Sequence, residues 1–402
     1  MRSLNIVILA AVDLPEGGGE TTRLKTLVNA IKEAGHTVTI LLENTSGNVD
    51  EKHLSPKGEF NGIPYEYILG DTKPLTGIKF FTSKWKAVSL LKKRLSEMHR
   101  KQRVDVVWLN MLAGHTIYPV TGWAKRRGVK IIHSYEDERL KGTGLKRRLI
   151  YANQRFADKY LTRVADGVVV ISHYLRDKYT ALISGKVPVV IIPTVVNAEQ
   201  WLAAGEPDNK PPVLLYYGSF FGFDEIEKMI DAVKLLNGRG RDVRLHLVGY
   251  NRRKPEYMED IARHVKEAGV SHLVDLKGFT PHDKLKAYID EANVLIGLRK
   301  DDEWSRTGLS TKLSEYLSTG RLVIATAIGD NTHYLEDGKN ALLLAPGCSV
   351  EELAGVIEKA AEDAGLRSRI GMEGRITALQ NFDTGVIIQR INSLLEKITE
   401  KK

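Results

Sequence analysis

Apolar runs alternate with segments of helical periodicity along the first half of the chain. Residues 4–11 form a continuous apolar run, typical of a strand buried on both faces of a parallel sheet. A glycine-rich turn at 17–19, a helical pattern at 21–34 and a second strand at 37–42 follow. Further strands are predicted at 104–109, 129–133, 167–171 and 187–192. This alternation predicts a doubly wound α/β domain.

The same pattern restarts in the second half. Strands are predicted at 213–217, 244–248, 274–277, 294–297, 322–326 and 341–344. Helices are predicted between them at 226–236, 257–267, 282–291 and 312–318. Because the segment 205–212 holds three prolines and several turn-forming residues, it is the natural linker. We therefore predict two Rossmann-like domains, 1–204 and 205–384.

The chain ends with an amphipathic helix at 385–402. Its apolar positions recur at helical spacing and include Ile387, Ile391 and Leu394. Two interpretations are open for this helix. It packs on the C-terminal domain, or it crosses back to the N-terminal domain.

Composition restricts the class of protein. The 402 residues are 43% hydrophobic and 27% charged, as in folded globular domains. No run reaches the ~20 apolar residues of a membrane-spanning helix, and the opening run at 4–12 predicts a strand rather than a signal peptide. The single cysteine, Cys348, excludes an internal disulfide and a cysteine-cluster metal site. A cytoplasmic location is therefore expected.

The formal charge of +9 is concentrated in the first half. Residues 1–205 carry 31 Lys and Arg against 19 Asp and Glu, whereas the rest carries 28 against 31. A basic half beside a near-neutral half predicts two domains with different partners. Nucleic acid, an anionic membrane and an acidic substrate all suit the basic half.

Two glycine-containing loops are candidate phosphate sites. Gly18 and its neighbours precede a helix N-terminus, which offers free N–H groups to an anion; a plain turn is the alternative interpretation. The loop at Gly308 opens a helix with Lys312 in its first turn and Glu315 on nearly the same face. A carboxylate there can accept two hydrogen bonds from neighbouring hydroxyls, as on a ribose. The alternative is a capped helix with a solvated Lys312–Glu315 pair.

Residues 312–329 resemble the donor-site segment of a known enzyme family. The stretch Lys312-Leu-Ser-Glu-Tyr-Leu-Ser-Thr-Gly-Arg-Leu-Val-Ile-Ala-Thr-Ala-Ile-Gly329 is similar to that of the family 4 retaining glycosyltransferases of the GT-B fold, or glycosyl transferases group 1. Pieces in family order cover almost the whole chain, among them 35–40, 165–172, 192–197, 217–219, 247–249 and 336–344. The resemblance implies an α/β GT-B architecture, with two Rossmann-like doubly wound parallel-sheet domains facing a central cleft.

The resemblance also implies an activity and site residues. The activity is transfer of a sugar from a nucleotide-sugar donor, with retention at the anomeric carbon. Glu315 would hold the donor ribose and Lys312 the diphosphate. The other implied donor-binding residues are Gly18, Gly19, Ser219, Arg306, Gly308, Leu309 and Ser310. No metal and no cofactor are expected, because the nucleotide-sugar is a substrate and the sequence lacks the Asp-x-Asp of metal-dependent transferases.

Three departures from the family pattern concern catalysis. Thr307 stands where the family has a glutamate eight residues before Glu315. The Arg and Lys that many members carry after the strand at 214–217 are absent. Nearby cations are candidate replacements: Arg299, Lys300 and Arg306. A solvated charged loop is the alternative interpretation of those three.

Candidate acceptor-side residues follow predicted strands of the first domain. His115 resembles the family's active-site histidine by position, and Glu136 opens a three-carboxylate cluster. Because strand carboxyl ends face the ligand crevice, these two residues are candidate catalytic residues. The resemblance adds Thr307, at the position of the family's glutamate, to the predicted catalytic set. A structural histidine and a solvated acidic turn are the alternatives.

The basic charge of the first half lies in two amphipathic segments, 81–103 and 140–163. Such helices can lie on anionic bilayers; core-packed helices with solvated basic faces are the alternative. Nucleic acid is not expected as a partner, because no recognisable nucleic-acid-binding module accompanies the charge.

The sequence thus predicts a cytoplasmic, metal-independent hexosyltransferase that is peripheral on the inner face of the cell membrane. Its acceptor would be lipid-linked, a polysaccharide or another glycan. Two alternatives are a nucleotide-sugar epimerase of the same architecture, which needs no acceptor, and a non-catalytic sugar-nucleotide-binding or scaffold protein. Thr307 and the missing Arg/Lys pair favour the second.

Overall fold

The computed structural model describes residues 2–43, 55–72, 77–110, 112–136, 138, 144–183, 187–220, 222–251 and 254–400. The first elements in chain order are β1 (Asn5–Ala10), α1 (Gly19–Glu33), β2 (Thr37–Leu42), β3 (Lys57–Phe60), β4 (Ile63–Tyr67), α2 (Gly77–Lys101), β5 (Val106–Asn110), α3 (Gly114–Lys125), β6 (Lys130–Tyr135), α4 (Leu145–Val164), β7 (Gly167–Val170), α5 (His173–Leu182) and β8 (Val189–Ile191).

The later elements are α6 (Ala198–Trp201), β9 (Val213–Gly218), α7 (Ile226–Gly238), β10 (Arg244–Gly249), α8 (Glu256–Glu267), β11 (Val274–Gly278), α9 (His282–Glu291), β12 (Val294–Gly297), α10 (Glu303–Thr307), α11 (Thr311–Ser318), β13 (Leu322–Thr326), α12 (Asn331–Tyr334), β14 (Leu342–Leu344), α13 (Val350–Glu362), α14 (Ala364–Asn381) and α15 (Thr384–Thr399).

The first compact unit, Met1–Val195 with Thr384–Lys402, is built on an eight-stranded sheet. The strand order is β3-β4-β2-β1-β5-β6-β7-β8, and the β3–β4 pair is antiparallel among otherwise parallel neighbours. All six residues of β1 are buried, as its continuous apolar run predicts. The order of strands reverses between β1 and β5, so the switch point of this doubly wound sheet lies between these two strands.

The last helix, α15, belongs to this first unit. Its apolar face enters the core that contains β1 and α1, through Ile387, Ile391, Leu394, Leu395 and Ile398. At the start of β7, a Cβ added to Gly167 would lie 2.9 Å from Leu394 Cδ1, so glycine allows the helix to approach closely. The chain therefore returns to the N-terminal sheet, which is one of the two interpretations left open by the sequence.

The second unit, Val196–Asp383, is built on a six-stranded sheet. All its strand pairs are parallel, in the order β11-β10-β9-β12-β13-β14. This is the strand order of the Rossmann fold, and its switch point lies between β9 and β12. The two parallel-sheet α/β units confirm the predicted fold class.

The second unit begins before the predicted linker. Val196 is its first residue, so the segment 205–212 lies inside the unit. Arg321 Nη2 donates to the Gly205 carbonyl at 3.1 Å, and Arg367 Nε donates to Glu206 Oε1 at 2.6 Å. These buried arginines attach the proline-rich segment to the second unit. The compact units therefore divide at 195/196 and 383/384 rather than at 204/205 and 384/385.

The hairpin of β3 and β4 is absent from the sequence-based prediction. Lys57 and Glu59 of β3 are exposed, and Phe60 is the one large apolar residue of this edge strand, so no apolar alternation marks it. Its turn is Asn61-Gly62, with φ of 49° and 67°. Asn-Gly is the preferred pair for a two-residue hairpin turn with positive φ at both positions, so a signal was present.

Candidate functional site

A cavity lies at the carboxyl edge of the second sheet, beside the switch point between β9 and β12. Its lining includes Asp224 beyond β9, Arg299 beyond β12, and Ser310 and Lys312 at the start of α11. Ligands of open α/β sheets bind at such a point, because neighbouring strands send their connections to opposite faces there. The cavity brings cations, a carboxylate and a helix N-terminus together.

The loop before α11 is fixed by a glycine of the next loop. Gly329 has a φ of +55°, and an added Cβ would lie 2.3 Å from the Ser305 carbonyl oxygen and 2.9 Å from that of Gly308. Only glycine allows this backbone approach. Gly329, the last residue of the motif at 312–329, therefore packs directly against the 305–308 turn that leads into α11.

Lys312 is held by a buried carboxylate and a tyrosine. Its Nζ donates to Asp224 Oδ1 and to Tyr216 Oη, each at 2.8 Å. The side chain of Lys312 is 16% exposed and that of Asp224 is 1% exposed. Burial lowers the pKa of Lys312, and the charge of Asp224 opposes that shift. The ammonium therefore stands at the cavity wall with a carboxylate partner.

Gly218, the last residue of β9, leaves room for this lysine. A Cβ at Gly218 would lie 2.7 Å from both Cδ and Nζ of Lys312. Contacts below 3.0 Å force the neighbouring atoms to move. A larger residue at position 218 would therefore collide with Lys312, which lies almost one hundred positions further along the chain.

Glu315 lies one turn along α11, next to an aromatic anchor. Tyr316 Oη accepts from the Tyr217 N–H and donates to the Tyr217 carbonyl, each at 3.0 Å, which fixes α11 on the end of β9. Burial raises the pKa of Glu315 to about 7, although the Tyr217 hydroxyl and Lys312 both favour the charged form. A desolvated carboxyl therefore stands beside the cation site.

Of the three candidate replacement cations, Arg299 lines the cavity. Its guanidinium carbon lies 4.4 Å from the centroid of the Phe223 ring, and its Nη1 is buried without a hydrogen-bond partner in the described part of the chain. Lys300 is exposed. Arg306 is 63% exposed and donates to both carboxylate oxygens of Asp301, at 2.6 and 2.8 Å. The structure thus places Arg299, rather than Lys300 or Arg306, at the cavity.

The remaining predicted residues of this unit lie around the cavity without lining it. Thr307 is buried at the end of α10, and its hydroxyl donates to the Glu303 carbonyl at 3.0 Å. Gly308 is half-buried and Leu309 is buried in the loop before α11, and Ser219 is exposed just beyond β9. The Thr307 hydroxyl is therefore hydrogen-bonded within its own helix, α10.

In the first unit, Gly18 and Gly19 form the start of α1. Gly18 is the N-cap and Gly19 the first helical residue, and an added Cβ at either would meet nothing within 4 Å. Within the described residues, nothing therefore crowds a side chain at either of these two positions.

Glu136 is a buried carboxylate rather than part of a solvated turn. Its Oε1 accepts from Asn110 Nδ2 at 2.8 Å and lies 3.1 Å from Arg23 Nε. Arg23 also donates to the Ile192 and Pro193 carbonyls, each at 2.8 Å. Two positions along the cluster, Glu138 pairs with Lys178, whereas Asp137 lies outside the described residues. Glu136 thus joins an ionic network at the carboxyl edge of the first sheet.

His115 lies in the first turn of α3, at the switch point of the first sheet. Its Nε2 is 2.7 Å from Oε1 of Glu43, the residue that follows β2. The side chain of His115 is 21% exposed, and that of Glu43 is 1% exposed. The histidine therefore has a buried acidic partner and an accessible ring.

Sequence reasoning missed several partners in both sites: Arg23, Glu43, Asn110, Tyr216 and Asp224. Glu43 follows a strand directly and Asn110 ends one, so their place in the pattern was a usable signal. Arg23 and Asp224 carry no local signal, because each finds its partner across more than 80 residues of sequence.

Two family models together match most of the chain. The model described as glycosyl transferases group 1 matches residues 197–377, and the model described as glycosyl transferase 4-like domain matches residues 18–194. No curated protein sequence matches the chain.

Solved structures of similar fold span the whole chain. Sucrose-phosphate synthase from Thermosynechococcus elongatus is 19% identical, with a TM-score of 0.73, and the match covers 99% of this chain and 100% of that one. Anabaena HepE in complex with UDP is 16% identical, with a TM-score of 0.73 and coverage of 98% and 100%. The lipopolysaccharide outer core galactosyltransferase WaaB is 15% identical, with a TM-score of 0.67 and coverage of 99% and 100%. These likenesses show the GT-B fold.

Proposed function

The chain belongs to the glycosyl transferases group 1 family, and from this membership we propose that it moves a sugar from a nucleotide-sugar donor to a glycan or lipid-linked acceptor, with retention of the anomeric configuration. The observation that carries the proposal is the cavity at the β9–β12 switch point, which brings Lys312, Arg299 and the N-terminus of α11 together. This is the position and the charge that a nucleoside diphosphate requires.

The diphosphate would be held without a metal ion. Amides at the start of α11 and the two cations supply the positive charge that stabilises a diphosphate leaving group. Asp224, the carboxylate among the lining residues, is already bound by Lys312. On binding, a phosphate oxygen would replace the Tyr216 hydroxyl as an acceptor for Lys312.

Glu315 would hold the ribose. A carboxylate can accept hydrogen bonds from both ribose hydroxyls, and the charged form does so most strongly. Because the pKa of Glu315 is about 7, the charged fraction grows between pH 6 and pH 8. Nucleotide affinity should grow with it, and Glu315→Gln should lose that part of the pH dependence.

Solved relatives guide the choice of probe. HepE has been determined in complex with UDP, with UDP and glucose, and with UDP-glucose. TarM has been determined with α-GlcNAc-glycerol and UDP. The molecules bound in these structures support a nucleotide-sugar donor and a glycan acceptor for this chain. UDP is therefore the first nucleotide to test.

The proposal is tested by thermal shift with a panel of nucleoside diphosphates, followed by turnover of the matching nucleotide-sugars with EDTA or Mn²⁺. A binding nucleotide raises the unfolding temperature, and turnover should survive EDTA. Arg299→Gln should lower the affinity for the nucleotide that binds, whereas the matched Arg306→Gln should leave that affinity unchanged. No shift with any nucleotide contradicts the donor site, and activity that needs Mn²⁺ contradicts the metal-free arrangement.

We also propose that the first unit contacts an anionic membrane through α2 and α4. Trp85 is 74% exposed on α2, and Lys86 and Lys93 are exposed on the same helix. On α4, Leu149 and Phe156 are 62% and 69% exposed. Every helix in the described ranges lacks the length or the apolar character that a membrane span requires. Residues 140–143 of the predicted basic segment lie outside those ranges.

Sedimentation with liposomes tests the membrane contact. Binding should need acidic lipid and weaken with salt, because near-surface basic residues contribute about 1 kcal/mol each. Lys86→Glu/Lys93→Glu should weaken binding. The control Lys254→Glu/Lys266→Glu makes the same charge change at exposed positions of the second unit. Equal sedimentation of both variants and the wild type would contradict the proposal.

A further inference from the structure

The loop between β9 and α7 has an unusual backbone at Glu225, the residue that follows Asp224. Glu225 has a φ of 47° and a ψ of 40°, in the left-handed region. Among the described residues other than glycine, Asn61 and Glu225 are the two with a positive φ. A residue with a Cβ adopts this conformation at a cost, so the surrounding structure must hold Glu225 in it.

The left-handed backbone separates two buried side chains on either side of Glu225. Asp224, Glu225 and Ile226 are 1%, 9% and 0% exposed. Asp224 lines the cavity, whereas Ile226 belongs to the hydrophobic core of the second unit. A helix N-cap usually has an extended backbone, and in an extended segment residues two apart face the same side. The turn at Glu225 therefore allows Asp224 to face the cavity while Ile226 enters the core.

The side chain and the carbonyl of Glu225 are both held by α7. Oε1 of Glu225 lies 2.6 Å from Nζ of Lys228, and the two side chains are 9% and 19% exposed. The same Nζ donates to the carbonyl of Cys348, just before α13, at 2.8 Å. The Glu225 carbonyl accepts from the N–H of Met229 at 3.3 Å. Glu225 is thus fixed to two neighbouring parts of the second unit.

The residue on the other side of Asp224 is fixed as well. The carbonyl of Phe223 accepts from the N–H of Lys300, beyond β12, at 2.8 Å. Asp224 therefore lies between two anchored residues, and its Oδ1 accepts from Nζ of Lys312 at 2.8 Å. In the described part of the chain, the cavity lining includes Asp224 and Lys312 but not Glu225. An effect of Glu225 on a ligand must therefore pass through the other two residues.

We propose that Glu225 is a positioning residue of the donor site, whose left-handed backbone directs Asp224 at Lys312 and so holds the ammonium where a diphosphate oxygen can bind it. The inference rests on the proposed function, because that function assigns the diphosphate to this cavity. The requirement is for a backbone conformation, so a residue that adopts the left-handed region freely should support binding at this position. A residue that resists the left-handed region should not.

The test compares Glu225→Gly with Glu225→Val. Both substitutions remove the carboxylate and its ion pair with Lys228, but glycine adopts a positive φ freely and a β-branched residue resists it. Calorimetric titration of UDP should give Glu225→Gly an affinity close to that of the wild type. Glu225→Val should lose about tenfold or more, the loss that corresponds to one charge-assisted hydrogen bond.

Two further variants control for folding. Glu225→Ala adds a Cβ without branching, so it is the milder variant if valine prevents folding, and its affinity should lie between those of the other two. Asn61→Val imposes the same backbone change at the β3–β4 turn, which belongs to the first unit. Asn61→Val should lower stability and leave UDP affinity unchanged.

A second readout is the pKa of Lys312, followed by NMR of the full chain labelled with ¹³Cε-lysine, with its signal assigned by its loss in Lys312→Arg. The titratable and charged groups that face this ammonium are the Tyr216 hydroxyl, Asp224, Arg299 and Glu315. Burial lowers the pKa of Lys312, and the charge of Asp224 is the main influence that opposes this shift. Displacement of Asp224 in Glu225→Val should therefore lower the pKa further, whereas Glu225→Gly should keep the wild-type pKa.

The same Lys312 pKa in Glu225→Gly and Glu225→Val would overturn the positioning role, whatever the stability of the two variants. An equal loss of UDP affinity in both would assign the effect to the carboxylate and would also overturn it. Absence of UDP binding by the wild type would contradict the proposed function alone, because the pKa of Lys312 still decides the role of Glu225.

Discussion

Each unit buries an ion pair at the carboxyl edge of its sheet, and the two pairs differ in what the cation can still reach. In the first unit, Arg23 and Glu136 are 4% and 5% exposed. In the second unit, Lys312 and Asp224 are 16% and 1% exposed. The other donors of Arg23 end on backbone carbonyls, whereas the other partner of Lys312 is a tyrosine hydroxyl beside a cavity.

From this difference we expect the first pair to stabilise the fold and the cation of the second pair to bind a ligand. A guanidinium bound to two carbonyls and a carboxylate joins chain segments and has little capacity for a new acceptor. An ammonium on a neutral hydroxyl can exchange that partner for a charged phosphate, because charge-assisted hydrogen bonds are stronger. We therefore expect the Arg23–Glu136 pair to affect stability and Lys312 to affect both stability and binding.

The largest expected effect is that of Lys312→Met. The substitution leaves Asp224 buried without its cation, which should lower the free energy of unfolding by about 3–5 kcal/mol. Lys312→Met/Asp224→Asn removes the unpaired charge and should recover most of that stability, measured by urea denaturation. UDP affinity, measured by calorimetry, should stay lost in both variants. Full affinity in the double variant would show that Lys312 has only a structural role.

Arg23→Met should destabilise the protein by a similar amount, about 3–5 kcal/mol, because it leaves Glu136 buried and uncompensated. The matched Arg23→Met/Glu136→Gln should again recover stability. In contrast with the Lys312 variants, the folded double variant should bind UDP with wild-type affinity. A large loss of affinity would remove the distinction between the two pairs.

Glu315→Gln should stabilise the protein above neutral pH. The pKa of Glu315 is raised from 4.5 to about 7 in the folded chain, so the folded state binds the proton more tightly than the unfolded state does. Stability is therefore lost as pH rises from about 4.5 to 7, by about 3 kcal/mol in total. The variant lacks this loss, so its unfolding midpoint in urea should exceed that of the wild type at pH 8 and match it at pH 4. Equal midpoints at pH 8 would contradict the raised pKa.

The smallest expected effect is that of Gly218→Ala. The added methyl group would meet Cδ and Nζ of Lys312 at 2.7 Å, and forcing extra volume into a packed site costs about 1–3 kcal/mol. Displacement of the ammonium should also weaken UDP binding. Gly222→Ala, where nothing lies within 4 Å, is the control and should leave affinity unchanged. Identical titrations for the two variants would argue against a binding role for the position of Lys312.

The same comparison explains how far the sequence predicted the structure. In the second unit a continuous motif placed Lys312 and Glu315 on one helix, because residues three apart share a helix face. The apolar runs also predicted six of the eight strands in the first sheet and all six strands of the second, but not the β3–β4 hairpin. Asp224 and Glu43 were not predicted, since their contacts depend on the order of strands in a sheet, and a periodic pattern does not contain that order. The proline-rich segment has the composition of a linker, and its buried arginine partners, Arg321 and Arg367, lie far along the chain, where a local pattern does not show them.

The account is tested most directly by calorimetric titration of UDP into the wild type and Glu315→Gln at pH 8. Because the variant should be more stable than the wild type at this pH, weaker binding cannot be attributed to unfolding. Loss of one or two charge-assisted hydrogen bonds, about 1.5–3 kcal/mol each, should lower the affinity for UDP by more than about tenfold. Saturable binding of UDP by the wild type with this loss in the variant is the predicted result. Equal affinity of the two proteins would contradict the assignment of the nucleotide site to α11.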